Sequence, residues 1–369
     1  MPAFSPEQDA ALKAVAAWLK AKPGRGDTAP VFRLFGYAGT GKTTLAKHLA
    51  QGFDGKVVFA AFTGKAALVM RSKGCSGAST IHSLIYQPVD TDSPTPTFVR
   101  WDDGPASEAK LIVIDECSMV DAELGRDLMS FGAPILVLGD PAQLPPVQGG
   151  GFFTEARPDA MLTEVHRQAR NDPIVQLSMD IREGKSLAPG QYGETQVVPR
   201  SALDPQRVLD ADQVLVGRNV TRRAYNARMR ERRGFTQALP MQGDKLVCLR
   251  NKRMKGLFNG GLWVIQDRPR KRREINGMRV RPEEDTRGKA VKVRVREECF
   301  TGAIEQVEWD YRKNYEEFDF GYVLTVHKAQ GSQWDDVVLF DESFAFRDSR
   351  QRWLYTGVTR AAKRLTLVV

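Results

Sequence analysis

The 369-residue sequence is poor in cysteine and has no long hydrophobic run. Its four cysteines are widely scattered and form no C-x-x-C pair, so neither a zinc site nor a disulfide framework is indicated. No apolar run approaches the roughly 18 residues that a membrane-spanning helix needs. The N-terminal residues also lack the basic and apolar regions of a signal peptide. We therefore expect an intracellular protein without a membrane partner.

Acidic residues and histidines are also comparatively few. Lys and Arg number 54 against 45 Asp and Glu, which gives a formal net charge of +9 and a sequence pI of about 9.4. This excess favours a polyanionic partner without identifying it. The four histidines lie far apart, which argues against a metal cluster. A hydrophobic fraction of 42% is typical of a globular protein, and the length predicts about two to four domains.

What the sequence does contain is a glycine-rich turn between a strand and a helix. The apolar run Val31–Phe35 is followed at residues 36–44 by GYAGTGKTT, which matches the phosphate-loop pattern G-x-x-x-x-G-K-[ST]. Glycines let the backbone bend so that its amides form an anion site at a helix N-terminus. Lys42 is expected to reach the β- and γ-phosphates and Thr43 to ligate Mg²⁺; the alternative is a plain glycine turn with a surface lysine. The predicted nucleotide-binding residues of this loop are Gly36, Ala38, Gly39, Thr40, Gly41, Lys42, Thr43 and Thr44.

Two carboxylates end another predicted strand. Leu111–Ile114 is entirely apolar, as expected of a strand buried on both faces, and Asp115 and Glu116 follow it. Adjacent buried carboxylates are unfavourable without a cation or hydrogen bonds. Beside a phosphate loop, Asp115 is suited to holding Mg²⁺ through water, and Glu116 to deprotonating the attacking water. A solvated acidic turn is the alternative.

Two glutamines are candidates for contact with the same nucleotide. Gln143 follows the apolar run Ile135–Leu138, at a third strand end where its amide could sense the γ-phosphate. Gln8 lies three residues after Ser5 at the start of a helical pattern. It is therefore either the capping-box partner of Ser5, which the spacing favours, or a side chain that reads an adenine edge.

Polar residues also follow the predicted strand Lys56–Phe62 and recur in Ser79–Ser83. Hydroxyls, a lysine and a histidine on loops suit contacts to a nucleic-acid backbone, although such short patterns are more often ordinary turn residues. The residues concerned are Thr63, Lys65, Thr80 and His82. The proline-rich residues 87–107 predict an excursion such as a hairpin, whose aromatic residues pack locally or stand against a nucleic-acid fork.

The segment Arg218–Arg233 is predicted to be a helix with seven arginines and one glutamate. Its apolar face is expected to consist of Val220, Ala224 and Ala227. That arrangement would direct the arginines outward, toward solvent or a phosphate backbone.

Short β-like runs separated by glycine turns predict a small barrel between Gln237 and Phe320. Alternating strands and helices resume at Tyr322, so a second parallel sheet is expected, with the barrel inserted into it. The predicted barrel strands are Lys245–Leu249, Leu262–Ile265, Lys292–Val295 and Ala303–Trp309.

Taken in order, these stretches resemble the motif series of superfamily 1 helicases, in particular the RecD-like and Dda-like 1B branch. The matching stretches span Gly36 to Arg364: GYAGTGKTT, FTGKAA, STIHSL, IDECSM, GDPAQLPPV, LTEVHRQ, LTVHKAQGSQWDDV and LYTGVTRAAKRL. The resemblance implies an α/β fold with two RecA-like parallel-sheet domains, an inserted β-hairpin (the pin) and an inserted SH3-like β-barrel. The implied domains are residues 1–165 with the pin at about 86–108, residues 166–236 with 320–369, and the barrel at 237–319.

The resemblance also implies an activity, that of an ATP-dependent DNA helicase that uses ATP and Mg²⁺ in the cleft between the domains. Arg167 and Arg360 would reach the γ-phosphate from the second domain, Gln8 would read adenine, and Gly331 would lie at the nucleotide. Single-stranded DNA would be contacted by Thr63, Lys65, Thr80, His82, Thr325, His327 and Lys328. Travel is expected to be 5′→3′, an implication of the branch alone.

Expected partners are single-stranded DNA, fork duplex DNA, and single-strand-binding or replisome proteins, with the chain acting as a monomer in DNA replication, repair or recombination. The expected location is the cytoplasm of a bacterium or of a phage host. An RNA translocase of the same superfamily is the nearest alternative. A phosphate-loop kinase for small molecules would not need Arg167 and Arg360. A non-catalytic nucleic-acid-binding protein would leave Asp115 and Glu116 unexplained.

Overall fold

The first part of the chain forms a parallel sheet from mostly apolar strands. The computed structural model describes residues 4–21, 29–90, 97–146, 150–164, 172–285 and 287–369. The elements of this part of the chain are α1 (Pro6–Lys20), β1 (Val31–Gly36), α2 (Lys42–Gln51), β2 (Val57–Ala61), α3 (Gly64–Ser72), β3 (Ser79–Thr80), α4 (Ile81–Ile85), β4 (Tyr86–Asp90), β5 (Thr97–Arg100), β6 (Leu111–Asp115), α5 (Ala122–Met129), β7 (Ile135–Gly139) and β8 (Ala160–Leu162). The strands of the parallel sheet pair in the order β3-β2-β6-β7-β1-β8.

The parallel pairing brings several predicted site residues to one edge of this sheet. β7 pairs in parallel with both β1 and β6, and β6 pairs in parallel with β2. Parallel strands present their carboxyl ends at the same edge, where α/β folds place ligands. The phosphate loop after β1, the Thr63 turn after β2, Asp115 and Glu116 at the end of β6, and the Asp140–Leu144 loop after β7 are therefore neighbours.

The proline-rich excursion contains a hairpin. β4 and β5 pair antiparallel, with Tyr86 opposite Arg100 and Pro88 opposite Phe98. This hairpin directly follows the short helix α4, and Phe98 and Val99 are exposed on it.

The second α/β unit begins after the first sheet and is interrupted by an insertion. Its first elements are α6 (Pro173–Arg182), β9 (Gly190–Tyr192), β10 (Thr195–Val198), α7 (Pro205–Asp210), β11 (Gln213–Val216) and α8 (Asn219–Arg232).

The insertion consists of β12 (Lys245–Cys248), β13 (Leu262–Ile265), β14 (Arg270–Arg272), β15 (Ile275–Pro282), β16 (Val291–Arg296), α9 (Glu298–Thr301), α10 (Trp309–Arg312) and β17 (Phe318–Phe320). Its strands form an antiparallel sheet in the order β14-β15-β13-β12-β17, with β16 also paired to β15. A bridge between Val295 and Glu316 links β16 to the segment before β17.

One strand predicted in this insertion is wrong, and three of its strands, β14, β15 and β17, were not predicted. Ala303–Trp309 contains a 3-10 turn at Ile304–Gln306, followed by the start of α10. Ile304 and Val307 are three residues apart, a spacing that suits a helical turn better than a strand. The long strand β15 escaped prediction because its buried side chains include a polar one, Asn276, which disguises the alternation.

The chain ends with β18 (Val323–Thr325), α11 (Val326–Ala329), β19 (Trp334–Phe340), α12 (Arg350–Val358) and β20 (Ala361–Val368). These strands complete the second sheet, in the order β18-β11-β19-β20-β10-β9. Its pairs are parallel except for β9 with β10. The α/β class with parallel sheets is thus confirmed, whereas the SH3-like character of the insertion stays a prediction. No helix in the described ranges combines the length and apolarity that crossing a membrane requires.

Helix α8 is oriented differently from the prediction. Val220, Ala224 and Ala227 are exposed, and the buried side chains include Met229 and Arg230. Arg230 can be buried because its charge is neutralised: Nε and Nη2 donate to the two Asp244 carboxylate oxygens at 3.0 and 2.9 Å.

The Arg230 guanidinium is satisfied further by its surroundings. It lies 3.9 Å from the Phe320 ring centroid and also donates to the carbonyl oxygens of Gln237 and Leu239. A paired and hydrogen-bonded arginine is therefore buried on α8, whereas the residues predicted to form its apolar face are exposed.

Candidate nucleotide site and nucleic-acid cleft

The phosphate loop joins β1 to α2 in a conformation that its glycines allow. Gly39 and Gly41 have φ angles of +78° and +81°, in the left-handed region that favours glycine. A Cβ on Gly36 would lie 2.6 Å from the nearest side-chain oxygen, so this position leaves no room for a side chain. Lys42 Nζ donates to the carbonyl oxygens of Gly36 at 2.6 Å and Tyr37 at 3.0 Å, which directs the ammonium across the turn.

The other predicted loop residues differ in their surroundings. Thr40 is fully buried, and its hydroxyl donates to the Tyr37 carbonyl oxygen. The Ala38 N–H donates to the hydroxyl of Tyr355, a residue of the second sheet's helix α12. Thr44 is exposed on the first turn of α2.

Thr43 and Asp115 meet where α2 begins and β6 ends. Thr43 Oγ1 donates to Asp115 Oδ2 at 2.8 Å, and Asp115 Oδ1 accepts from the Glu116 N–H at 2.8 Å. A hydroxyl and a carboxylate fit Mg²⁺, which is bound through few protein oxygens together with waters and substrate phosphates. Within the described ranges, no group of three or more His, Cys, Asp or Glu side chains could hold a metal alone.

Glu116 combines an unusual backbone with a perturbed carboxyl group. Its φ of 54° lies in the left-handed region, which is uncommon for a residue other than glycine and clusters at functional sites. Burial raises the pKa of its carboxyl above the ordinary 4.5, and the negative charge of Asp115 adds to this rise. The positive charges of Arg360 and Lys42 oppose it. A proton acceptor with a raised pKa is suited to general-base chemistry near neutral pH.

Gln143 lies in the loop that follows β7. Its side chain is buried, with 7% exposed, and its Oε1 has no hydrogen-bond partner among the described residues. Its backbone N–H donates to the Asp140 carbonyl oxygen, which fixes the turn. A buried amide oxygen without a protein partner is rare, and such atoms are found at ligand-binding and catalytic sites.

Of the two predicted arginine fingers, the structure describes one. Arg360 follows α12 and is buried, with Nε donating to the Thr356 carbonyl oxygen and Nη1 to the Ser332 carbonyl oxygen. It lies close enough to Glu116 to lower the pKa of that carboxyl, so the second sheet contributes a cation at the end of β6. Arg167 lies outside the described residues.

Gln8 makes both a capping contact and a contact to the phosphate loop. Its Oε1 accepts from the Ser5 N–H at 3.0 Å, and the Ser5 hydroxyl accepts from the Gln8 N–H, which completes the capping box. Its Nε2 donates to the Thr40 carbonyl oxygen at 2.9 Å. The side chain thus ties α1 to the phosphate loop, and its role in reading adenine stays a prediction.

A cleft of about 660 Å³ brings together most of the residues predicted to contact single-stranded DNA. Both parallel sheets, the hairpin and the inserted antiparallel sheet contribute to its wall. The predicted residues that line it are Thr63, Lys65, Thr80, His82, His327 and Lys328. Thr325 lies beside it as the N-cap of α11, where its hydroxyl accepts from the Lys328 N–H.

The cations of this cleft are partly buried. Lys65 lies 4.7 Å from the Trp334 ring centroid and pairs with Glu284 of the insertion at 3.0 Å. Lys328 Nζ donates to Asn259 Oδ1, and burial lowers the pKa of this ammonium. Burial likewise lowers the pKa of His327, which favours its neutral form.

Several residues that line the cleft were not predicted from the sequence, namely Tyr86, Asn251 and Asn259. Phe98 of the hairpin also lines the cleft and packs edge-to-face against His82, with ring centroids 4.4 Å apart, and Tyr86 packs against His82 at a tilt, with centroids 4.7 Å apart. The Asn259-Gly260-Gly261 turn was interpreted only as a strand connection. Asn259 faces the cleft because the inserted sheet packs beside the first parallel sheet. A local sequence pattern cannot predict such packing between distant segments.

Gly331 lies between the two sheets. Its φ is +72°, and a Cβ there would lie 2.8 Å from Thr63 Oγ1 and 3.3 Å from Ala66 Cβ. Gly331 therefore permits a close approach to the Thr63 turn, and its role in nucleotide binding stays a prediction.

Two segments of the chain match known protein families. Residues 4–200 match the AAA domain family, and residues 320–368 match the UvrD-like helicase C-terminal domain. The first match covers more than half of the chain. The chain belongs to the AAA domain family. The second match covers the resumed part of the second sheet, including Arg360 and the cleft residues His327 and Lys328.

Curated relatives narrow this family to superfamily 1B helicases of the RecD and Dda type. The chain is 29% identical over 360 residues to the ATP-dependent RecD2 DNA helicase of Deinococcus radiodurans, which covers 90% of the chain and 46% of the relative. It is 32% identical over 165 residues to the ATP-dependent DNA helicase Dda of Enterobacteria phage T4, covering 41% of the chain and 37% of the relative. The chain thus spans less than half the length of these relatives.

The fold is shared with a solved helicase structure. A structure of Pif1 helicases in a study of DNA unwinding at forked double-stranded DNA superposes with a TM-score of 0.61 at 17% identity. The match covers 99% of this chain and 92% of that one. At this identity the likeness shows the helicase fold alone.

Proposed function

We propose that this chain is an ATP-dependent DNA helicase that hydrolyses ATP between its two parallel sheets and moves along a single strand held in the cleft. The observation that carries the proposal is the cleft itself. Six side chains predicted from scattered motifs line one cavity, and they come from both α/β units. A phosphate-loop kinase has no need for such a shared cavity beside its nucleotide site.

The first sheet supplies the groups for phosphate chemistry. The Lys42 ammonium would exchange its carbonyl acceptors, Gly36 and Tyr37, for phosphate oxygens. Thr43 and Asp115 would hold Mg²⁺, which neutralises charge developing on the β- and γ-phosphate oxygens. Glu116 would accept a proton from the attacking water.

The second sheet would complete the site. Arg360 offers a planar, permanently charged fork that matches phosphate oxygens, and such a group contributes about three to five orders of magnitude in rate. Its present hydrogen bonds are to neutral acceptors, Thr356 and Ser332, so no carboxylate partner would have to be displaced. We infer that closure of the two sheets on ATP aligns Arg360, and that hydrolysis releases it.

The cleft has the chemistry expected for a nucleic-acid strand. Lys328 and Lys65 are cations for the phosphate backbone, and the Thr63 and Thr80 hydroxyls can bond phosphate oxygens. The aromatic cluster of His82, Tyr86 and Phe98 gives a surface on which bases stack without sequence preference. Because Phe98 is on the exposed hairpin, we propose that this hairpin acts as the pin that meets the duplex.

The similar proteins favour DNA over RNA as the strand that this chain binds. RecD2 and Dda are both DNA helicases by name. The 5′→3′ direction, the monomeric state and the replication partners remain predictions from the resemblance. The RNA translocase remains the second candidate, and it differs only in the strand that stimulates turnover.

The test is ATP turnover measured with no nucleic acid, with oligothymidylate and with the matching oligouridylate. We expect DNA to stimulate kcat strongly and RNA weakly. The Lys328→Ala variant should lose affinity for the DNA strand, because it removes a cation from the cleft. Lys363→Ala is the matched control and should bind DNA as the wild type does, since Lys363 is an exposed lysine of β20 that pairs with Asp335.

Two results would count against the proposal in different ways. Turnover that is indifferent to both strands would exclude the motor and favour a phosphate-loop kinase. Stimulation by RNA alone would leave the motor intact and replace its substrate.

A further inference from the structure

Tyr355 joins helix α12 of the second sheet to the phosphate loop of the first. Its side chain is buried, with 1% exposed. Resting on the proposed function, we propose that Tyr355 is a positioning residue through which a strand in the cleft controls ATP turnover. Neither the motif series nor the residue's type pointed to this role.

The Tyr355 hydroxyl uses both its acceptor and its donor. It accepts from the Ala38 N–H at 3.0 Å and donates to Asp140 Oδ2 at 2.7 Å. Burial and the Asp140 charge raise the pKa of the phenol, so the hydroxyl keeps its proton and remains a donor. One oxygen therefore ties the phosphate loop, the loop after β7 and helix α12 together.

The Asp140–Leu144 loop is held from both sheets. Asp140 Oδ1 accepts from the Ala142 N–H at 3.0 Å, which shapes the turn that carries Gln143. From α12, the Thr356 hydroxyl accepts from the Leu144 N–H at 3.0 Å. The neighbours Tyr355 and Thr356 thus fix both ends of the loop that contains the predicted γ-phosphate sensor.

The same loop is connected to the cleft. Gln330 lines the cleft, and its Nε2 donates to the Leu144 carbonyl oxygen at 3.1 Å. The hydrogen bond from Gln330, the covalent chain of this loop and the two hydrogen bonds of the Tyr355 hydroxyl therefore connect the cleft through Asp140 to Ala38. Coupling between two sites requires an element that both of them bias, and the Asp140–Leu144 loop has contacts to each.

The Ala38 amide is the group through which we expect this coupling to reach the nucleotide. An N–H has a single hydrogen to donate, so Tyr355 competes with a phosphate oxygen for it. A shift of α12 caused by a strand in the cleft would change whether that amide is available to the nucleotide. Tyr355 would then act on turnover more than on the affinity for DNA.

A second tyrosine offers a matched control. Tyr322 is also buried, with 5% exposed, and its hydroxyl accepts from the Lys245 N–H at 3.1 Å and donates to Asp244 Oδ1 at 3.0 Å. Removing this hydroxyl breaks the same two kinds of bond at the junction with the inserted sheet. Tyr322→Phe therefore reports the effect of losing these two hydrogen bonds on stability, at a position that does not contact the phosphate loop.

The experiment compares Tyr355→Phe with Tyr322→Phe. For each variant, basal and oligothymidylate-stimulated kcat, the KM for ATP, the DNA affinity and the unfolding midpoint are measured. We expect Tyr355→Phe to lower the ratio of stimulated to basal kcat about tenfold, as the loss of a hydrogen bond to a charged group allows, with DNA affinity nearly unchanged. Tyr322→Phe should lose comparable stability and keep the wild-type ratio.

Thr356→Val, which removes the acceptor of the Leu144 N–H, should lower the same ratio if the loop carries the coupling. An unchanged ratio in Tyr355→Phe would overturn the proposal, as would an equal loss of the ratio in Tyr322→Phe. If the wild type itself shows no stimulation, the proposed function fails instead, and the two failures are distinguished.

Discussion

Replacing Gly331 with alanine tests whether contact between the sheets governs strand binding. The φ of +72° lies in the left-handed region, where an alanine is disfavoured by about 1–2 kcal/mol. The new Cβ would also lie 2.8 Å from Thr63 Oγ1, the hydroxyl that caps α3 through the Ala66 N–H. Losing such a cap costs about 1 kcal/mol. The two effects together predict a destabilisation of about 2–3 kcal/mol.

Gly234→Ala is the matched control. Gly234 has a φ of +83°, and a Cβ there would meet nothing within 4 Å, so only the backbone effect applies. The difference between the two variants, about 1 kcal/mol, isolates the contact with the Thr63 turn. Because that turn lines the cleft, we expect Gly331→Ala to bind a single strand about fivefold more weakly, the equivalent of 1 kcal/mol.

The assays are chemical denaturation of both variants and fluorescence anisotropy with a labelled oligothymidylate. Gly234→Ala should bind the strand as the wild type does. Equal DNA affinity and equal stability in the two alanine variants would refute the reasoning, because the Thr63 contact would then have no energetic effect.

Three further predictions concern single side chains. Glu116→Gln should lower kcat by about 10²–10⁴-fold, the usual contribution of a general base. Because burial raises the pKa of Glu116, wild-type kcat should fall as the pH drops through a value above 4.5, and the glutamine variant should lack this dependence. Because the pKa of Glu116 is higher in the folded than in the unfolded state, ionisation of this carboxyl opposes folding at any pH above the unfolded pKa. Glu116→Gln should therefore be more stable than the wild type at neutral pH but not at acid pH. Arg360→Lys should lower kcat about a thousandfold with ATP affinity nearly unchanged, since it keeps the charge but loses the planar fork. Arg230→Met should destabilise the fold by about 3–5 kcal/mol in chemical denaturation, because Asp244 stays buried without its cation.

Each of these has a contradicting outcome. A pH profile shared by the wild type and Glu116→Gln would assign the titration to another group. Full turnover in Arg360→Lys would mean that charge alone suffices at that position. Wild-type stability in Arg230→Met would show that Asp244 finds other compensation, for which its bonds to Tyr322 and the Met241 N–H are the available sources.

The positions of the strand-end residues could be predicted from the sequence because they depend on local order. An apolar strand followed by Asp115 and Glu116 must present both at the carboxyl edge of a parallel sheet, beside the phosphate loop. The same rule placed Thr63 after β2 and Gln143 after β7. These are consequences of strand direction, which short patterns report.

What the sequence could not report are pairings between distant residues. Arg230 was expected on the surface because nothing near it in sequence shows that Asp244 and Phe320 would enclose it. Lys65 was considered alone, whereas Glu284 of the insertion and Trp334 of the second sheet surround it. Tyr355 lies in the stretch LYTGVTRAAKRL, but no role was predicted for it. Its partners Ala38 and Asp140 are more than 200 residues away along the chain.

The most direct test of the central claim is strand separation on a forked duplex with ATP present. We predict that the wild type unwinds a duplex carrying a 5′ single-stranded tail, and that Lys42→Ala and Glu116→Gln do not. Equal unwinding from a 3′ tail would contradict only the direction of travel. Hydrolysis of ATP at the same rate with and without the fork, and without strand separation, would contradict the account.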